Sequence, residues 1–174
     1  MKRIIIDMMG GDNAPLETVK GVCMAAAELE AELILVGDEP ELLRVAAENE
    51  LSLEGMKIVH TPTVITMEDE PISVTRAKAD SSMSVGLRLL AEGEGDAFVS
   101  TGNTGALYTG ASLIVRKIKG ARRPAIAALL PMTPPVLLTD SGANIEVTPE
   151  YYRQFAVMGS VYMKKMMDVE NPRV

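Results

Sequence analysis

Tryptophan is absent from the 174 residues, and only four tyrosines and two phenylalanines are present. The core must therefore be built from Ala, Val, Ile, Leu and the twelve methionines, a soft filling that suits helices laid on a sheet. A single cysteine, Cys23, excludes an internal disulfide and a cysteine metal cluster, and fits a reducing cytoplasm. No apolar run approaches the roughly 18 residues of a membrane span, and the apolar part of the N-terminal segment is too short for a signal peptide. Basic residues are also the minority. Seventeen Lys and Arg against 24 Asp and Glu give a formal net charge of −7, which argues against general binding to nucleic acid. Neither G-x-x-x-x-G-K-[ST] nor a full G-x-G-x-x-G occurs, so nucleotide fingerprints are missing.

What is present is globular: 47% of residues are apolar, and the length suffices for one domain over residues 1–174. Strand-length apolar runs lie at residues 3–7, 32–37, 56–60, 96–100, 125–130 and 136–139. Helical patterns separate them at 15–30, 39–50, 81–92, 104–117 and 149–167. The runs Ile4-Ile5-Ile6 and Leu33-Ile34-Leu35-Val36 are continuous rather than alternating, as strands covered on both faces should be. The reading is an α/β fold of three layers, α/β/α, with a mostly parallel, doubly wound, Rossmann-like sheet. Ligands of such sheets gather at the carboxyl ends of the strands.

Three strand exits carry polar chemistry. The first is Asp7-Met8-Met9-Gly10-Gly11-Asp12-Asn13, the second Ser100-Thr101-Gly102-Asn103-Thr104-Gly105, and the third Asp140-Ser141-Gly142-Ala143-Asn144. Glycine frees the backbone to approach a ligand, and a helix start presents N–H groups without internal acceptors. The second turn has the composition to cradle a small phosphate through amides and the hydroxyls of Ser100, Thr101 and Thr104. As ordinary punctuation, the same residues make short connections and helix caps.

The segments IIIDMMGGDNAP, VITMEDEP, TRAKADSSM, DAFVSTGNTGAL and DSGANIEVTPEYYRQFAVMGSVY, in this order, resemble the PlsX family of acyl-acyl carrier protein:phosphate acyltransferases. The resemblance covers essentially the whole chain and corresponds to the N-terminal part of longer family sequences. It departs from the family pattern at Ala79, where many relatives have lysine, and over residues 131–138, where they carry a longer glycine-containing loop.

The resemblance implies transfer of a fatty acyl group from the carrier protein's thioester to inorganic phosphate, in phospholipid synthesis, with no metal or redox cofactor. It further implies a homodimer, cytoplasmic and associated peripherally with the membrane. Alternatives are a phosphotransacetylase-like enzyme using acyl-coenzyme A, and an inactive phosphate-binding or assembly fragment. On this reading Gly102, Asn103, Thr104 and Gly105 hold phosphate. Asn144, Ser141 and the amides of Gly142 and Ala143 form a second donor set, with Asn103 and Asn144 assigned to catalysis. Asp7, Gly10, Gly11, Asp12 and Asp140 shape the turns, because carboxylates repel phosphate. Arg76 and Lys78 are candidate phosphate or phosphopantetheine contacts, with solvated cations beside a helix cap as the alternative. His60, the lone histidine, is a candidate proton donor to the leaving thiolate, with structural hydrogen bonding as its alternative role. The basic run Arg116, Lys117, Lys119, Arg122 and Arg123 is a candidate dock for an acidic carrier protein or, more simply, the charge-complemented end of a helix.

Overall fold

The computed structural model describes residues 1–174, which gather into two compact units, Met1–Arg116 and Lys117–Val174. The first unit runs β1 (Lys2–Asp7), α1 (Leu16–Glu28), β2 (Ala31–Gly37), α2 (Glu39–Glu48), β3 (Lys57–His60), a 3-10 turn (Pro71–Thr75), α3 (Ser82–Ala91), β4 (Ala97–Val99) and α4 (Thr104–Gly110). After Gly110 the helix widens into a π-type turn, Ala111–Val115, so the single helix expected over 104–117 is two pieces.

The strands form one parallel sheet in the order β3-β2-β1-β4. The chain leaves β1 toward one side, building β2 and β3, then crosses back to lay β4 on the other side of β1. The exits of β1 and β4 therefore flank the topological switch point, where such sheets open a crevice for ligands.

Pleating explains the continuous apolar runs. Register pairs Ile4 with Leu33 and Ile6 with Leu35, whereas Ile5 pairs with Ile34 on the opposite face. On the first face Leu33, Leu35 and Met8 pack against Val19 and Val22 of α1 and Leu42, Val45 and Ala46 of α2. On the second, Ile5, Ile34 and Val36 meet Val85, Leu89 and Leu90 of α3. A third cluster joins Met83 and Leu87 of α3 to Val74 of the 3-10 turn and Ala106 of α4. Helices cover both faces, as the doubly wound reading requires.

The second unit is a hairpin, β5 (Ala127–Leu130) and β6 (Val136–Thr139), followed by α5 (Pro149–Met166). The hairpin is antiparallel, with Ala128 opposite Leu138 and Leu130 opposite Val136. Only residues 131–135 join the two strands, too few for the crossover that a parallel pair demands. Gly159 brings α5 close to β6: a Cβ there would lie 3.2 Å from Thr139 Cγ2 and 3.6 Å from Leu137 Cδ2.

Candidate functional site

At the end of β1, Asp7 is 2% exposed, and its carboxylate reaches across to the exit of β4. Oδ2 accepts the Ser100 hydroxyl at 2.8 Å and Oδ1 accepts the Met9 amide at 3.2 Å. The Ser100 oxygen in turn accepts the Gly102 amide at 3.1 Å. The Thr101 hydroxyl likewise donates to the Gly10 carbonyl at 2.9 Å. The turns after β1 and β4 are thus locked together by two bonds, both donated from the β4 side. Glycine is required where they touch, because a Cβ on Gly10 would lie 2.6 Å from Asp7 Oδ2 and 3.0 Å from the Gly102 nitrogen. Gly11 has φ +108°, a conformation that side chains disfavour.

Gly102 turns its N–H in toward Ser100, so it is committed to the lock. The amides of Thr104 and Gly105 open α4 and, as first-turn groups, lack intrahelical acceptors. Thr104 is exposed and Gly105 half-buried; Asp12, beyond the first turn, is exposed.

Asn103 caps α4: its Oδ1 accepts the Ala106 amide at 3.0 Å. Its Nδ2 donates to the carbonyls of Thr66, at 3.1 Å, and Asp69, at 3.2 Å. Every polar atom of this buried side chain holds protein, and what it holds is a loop that sequence reasoning gave no role. Asp69 secures that loop by accepting the Thr66 amide at 2.6 Å and its hydroxyl at 3.0 Å. Lys78 closes it, donating to Asp69 Oδ2 at 2.5 Å and to the Val64 carbonyl at 2.8 Å. The Thr66-x-x-Asp69 spacing inside VITMEDEP is the sequence signal for this loop. Arg76, by contrast, is exposed.

The Lys78 ammonium, helped by the Thr66 amide, holds the Asp69 carboxyl below its ordinary pKa. A depressed carboxyl stabilises the fold above the unfolded value, about pH 4, and that contribution is lost as pH falls through the lower folded value. Asp69→Asn is therefore expected to flatten the acid side of a plot of urea midpoint against pH. An acid side identical to that of the parent protein would show that the Lys78 pair contributes nothing.

His60, at the end of β3, accepts the Glu39 amide on Nδ1 at 3.1 Å and so caps the start of α2. Cys23 donates to the Ser52 carbonyl at 3.3 Å, and burial raises its thiol pKa.

In the second unit, Asp140 organises the turn after β6. It accepts the Ile126 amide at 2.8 Å, the Asn144 amide at 2.7 Å and the Asn144 side chain at 2.9 Å. Burial pushes this carboxyl up, but the Asn144 side chain and the amides of Ile126, Asn144 and Ala143 outweigh it and leave the pKa lowered. Asn144 Nδ2 also donates to Pro124, and Arg123 reaches its Oδ1 at 3.5 Å. Ser141 donates its amide to the Ile126 carbonyl at 2.8 Å. Gly142 has φ +107° and open space around it.

From Lys117 on, the basic run is partly committed within the second unit. Lys117 donates to the Arg122 carbonyl at 2.7 Å, Arg122 lies 3.7 Å from Glu150, and Arg123 stacks 4.9 Å from the centre of the Tyr151 ring. Arg116 and Lys119 are exposed, as is the rest of the run.

Interlocked glycine turns at the switch point of a parallel sheet place the chain among doubly wound α/β proteins, whose ligands gather at that crevice. The chain belongs to the fatty acid synthesis protein family, whose model matches residues 2–174. Among curated relatives it is 47% identical over 173 residues to a phosphate acyltransferase of Thermotoga neapolitana, covering 99% of this chain and 50% of the relative. It is 45% identical to a phosphate acyltransferase of Acetivibrio thermocellus, over 98% of this chain and 51% of that one. The chain thus spans about half the length of the curated relatives it matches. Among solved structures, a phosphotransacetylase from Streptococcus pyogenes superposes with a TM-score of 0.74 at 17% identity, over 97% of this chain and 55% of that one. EutD phosphotransacetylase from Staphylococcus aureus gives 0.69 at 19%, over 93% and 53%. These likenesses establish the fold.

Proposed function

We propose that the chain provides the phosphate-holding turns of an acyltransferase that moves a fatty acyl group from an acyl carrier protein thioester to inorganic phosphate. The observation that carries this reading is the lock between the turns after β1 and β4, which fixes backbone donors at the switch point of the sheet. The relatives' name, phosphate acyltransferase, supplies the reaction. A phosphate oxygen attacks the thioester carbonyl carbon, the C–S bond breaks, and acyl phosphate and a thiolate result. The chain's part is to hold the anion with the Thr104 and Gly105 amides and nearby hydroxyls, already oriented before the substrate arrives. Asp7 and Ser100 orient the turn. Asn103 acts on phosphate through the shape it gives the loop, because its side chain is engaged with Thr66, Asp69 and Ala106.

The same reading makes the exposed run from Arg116 to Arg123 the dock for the acidic carrier protein, with association slowed by salt and by Arg122→Glu. It makes the protein a cytoplasmic homodimer in peripheral contact with membrane. The exposed Tyr152, Val157, Val161 and Met166 of α5 are the apolar surface for such contacts.

The test is direct. The purified chain is mixed with acyl-acyl carrier protein and phosphate, and acyl phosphate is trapped with hydroxylamine as the hydroxamate. Hydroxamate that requires both substrates is expected. Product from acyl-coenzyme A alone would instead mark a phosphotransacetylase-like enzyme, and phosphate binding without product a binding fragment.

A further inference from the structure

Beside the locked turns lies a groove of about 550 Å³ that the turns themselves do not fill. Its floor is Ile4, Ile6, Leu33 and Val99, its wall is the face of α1 bearing Val22 and Ala25, and Asp7, Gly10, Ser100 and Thr101 stand at one end. The groove exists because β4 is an edge strand. Register places Ala97 and Val99 on the face shared by Ile4 and Ile6, where α1 and α2 cover the inner strands, and Val99 is left 49% exposed.

Gly21 makes this groove more than an uncovered face. It sits inside α1, where glycine weakens a helix relative to alanine. It lines the groove, yet a Cβ placed on it would meet no atom within 4 Å. Packing inside the chain therefore gives no reason for a missing side chain at this position.

We propose that the groove seats the acyl chain of a thioester substrate, with the thioester carbonyl delivered to the locked turns at its polar end. This rests on the reading of acyl transfer to phosphate given above. The volume falls within the range of small-molecule sites. A narrow apolar trough with a single polar end matches a linear hydrocarbon with a single polar head. Charge at that end selects the kind of head. The exposed Asp12 stands there, as does Glu17, whose charge Lys20 pairs at 2.8 Å, while Asp7 is buried and committed to the lock. The Asp12 carboxylate repels the anionic head of a free fatty acid, whereas phosphate is held apart from it by the Thr104 and Gly105 amides, which do not line the groove. The same carboxylate accepts a hydrogen bond from an amide N–H of a pantetheine-like arm, so the occupant is an uncharged thioester.

The experiment titrates the 174-residue chain by calorimetry with N-acetylcysteamine thioesters of eight, ten and twelve carbons, below their micelle concentrations and without phosphate. Affinity is expected to rise about fourfold for each methylene buried. Gly21→Leu, which projects a side chain into the trough, is expected to weaken the twelve-carbon thioester at least tenfold, and dodecanoate itself to bind at least tenfold more weakly than its thioester. Gly21→Ala, with far-UV circular dichroism on both variants, separates blockage from misfolding. Affinity independent of chain length, a Gly21→Leu variant indistinguishable from the parent, or no binding at all overturns the proposal; the last outcome would leave the trough as a seat for polypeptide. Because neither phosphate nor turnover enters, this measurement can fail while hydroxamate still forms, and it can succeed when none does.

Discussion

Gly10→Ala is expected to lower the unfolding free energy of the first unit by about 3 kcal/mol, at the upper end of the cost of overpacking a tight site. The added methyl meets three atoms that have no room to retreat. Asp7 Oδ2 lies 2.6 Å from it, the Gly102 nitrogen 3.0 Å and the Ser100 oxygen 3.0 Å. Asp7 is buried and already tied to Met9 and Ser100, and the Gly102 amide is tied to Ser100, so relief at one contact strains another bond of the lock. Gly21→Ala is the natural control. With nothing within 4 Å of its Cβ and a helical backbone, it is expected to stabilise by about 0.5–1 kcal/mol. Urea unfolding of both variants decides the matter. A Gly10→Ala variant within 0.5 kcal/mol of the parent would show that the two turns are not in close contact.

Asn103→Ala carries the second large effect, a loss of about 3 kcal/mol. The cap to the Ala106 amide contributes about 1 kcal/mol, and the two carbonyl bonds to Thr66 and Asp69 about 1 kcal/mol each. Asn103→Ser separates these contributions, since a serine oxygen still caps the helix but reaches neither carbonyl. It is expected to recover roughly a third of the loss. Equal losses in the two variants would mean that the cap contributes nothing. The same arithmetic bears on enzymology. A fall in turnover on removing Asn103 reports a released loop as readily as a lost phosphate contact, so the serine variant must accompany any kinetic comparison.

Much of the scaffold was legible because burial on both faces leaves a local mark. Ile4-Ile5-Ile6 and Leu33 to Val36 read as strands from composition alone, and helix starts at Pro15, Ser81 and Pro149 stand within a residue or two of the observed ones. The turn Pro71–Thr75 escaped notice, being one short 3-10 segment without enough length to show a period. At the candidate site, Asp7, Gly10, Ser100 and Thr101 were legible as strand-exit residues; their pairing was not, because it joins residues more than 90 positions apart. Asn103 was read as a ligand group. Its side chain faces Thr66 and Asp69, 37 and 34 residues upstream, a choice made by tertiary packing that no local pattern records. Lys78 and His60 follow the same logic. A lysine beside a helix start and a histidine at a strand end look available until the loop or the amide that engages them is in view.

Parallel pairing of β1 with β4 also sets a schedule. Ser100 follows Asp7 by 93 residues, and all three crossovers of the sheet lie between them. On a ribosome adding 5–20 residues each second, β1 waits on the order of ten seconds before its partner is even synthesised. The turns at the switch point are consequently the last part of the sheet to be assembled, and any nascent chain released before residue 100 carries a nearly complete sheet with no means of closing its switch point.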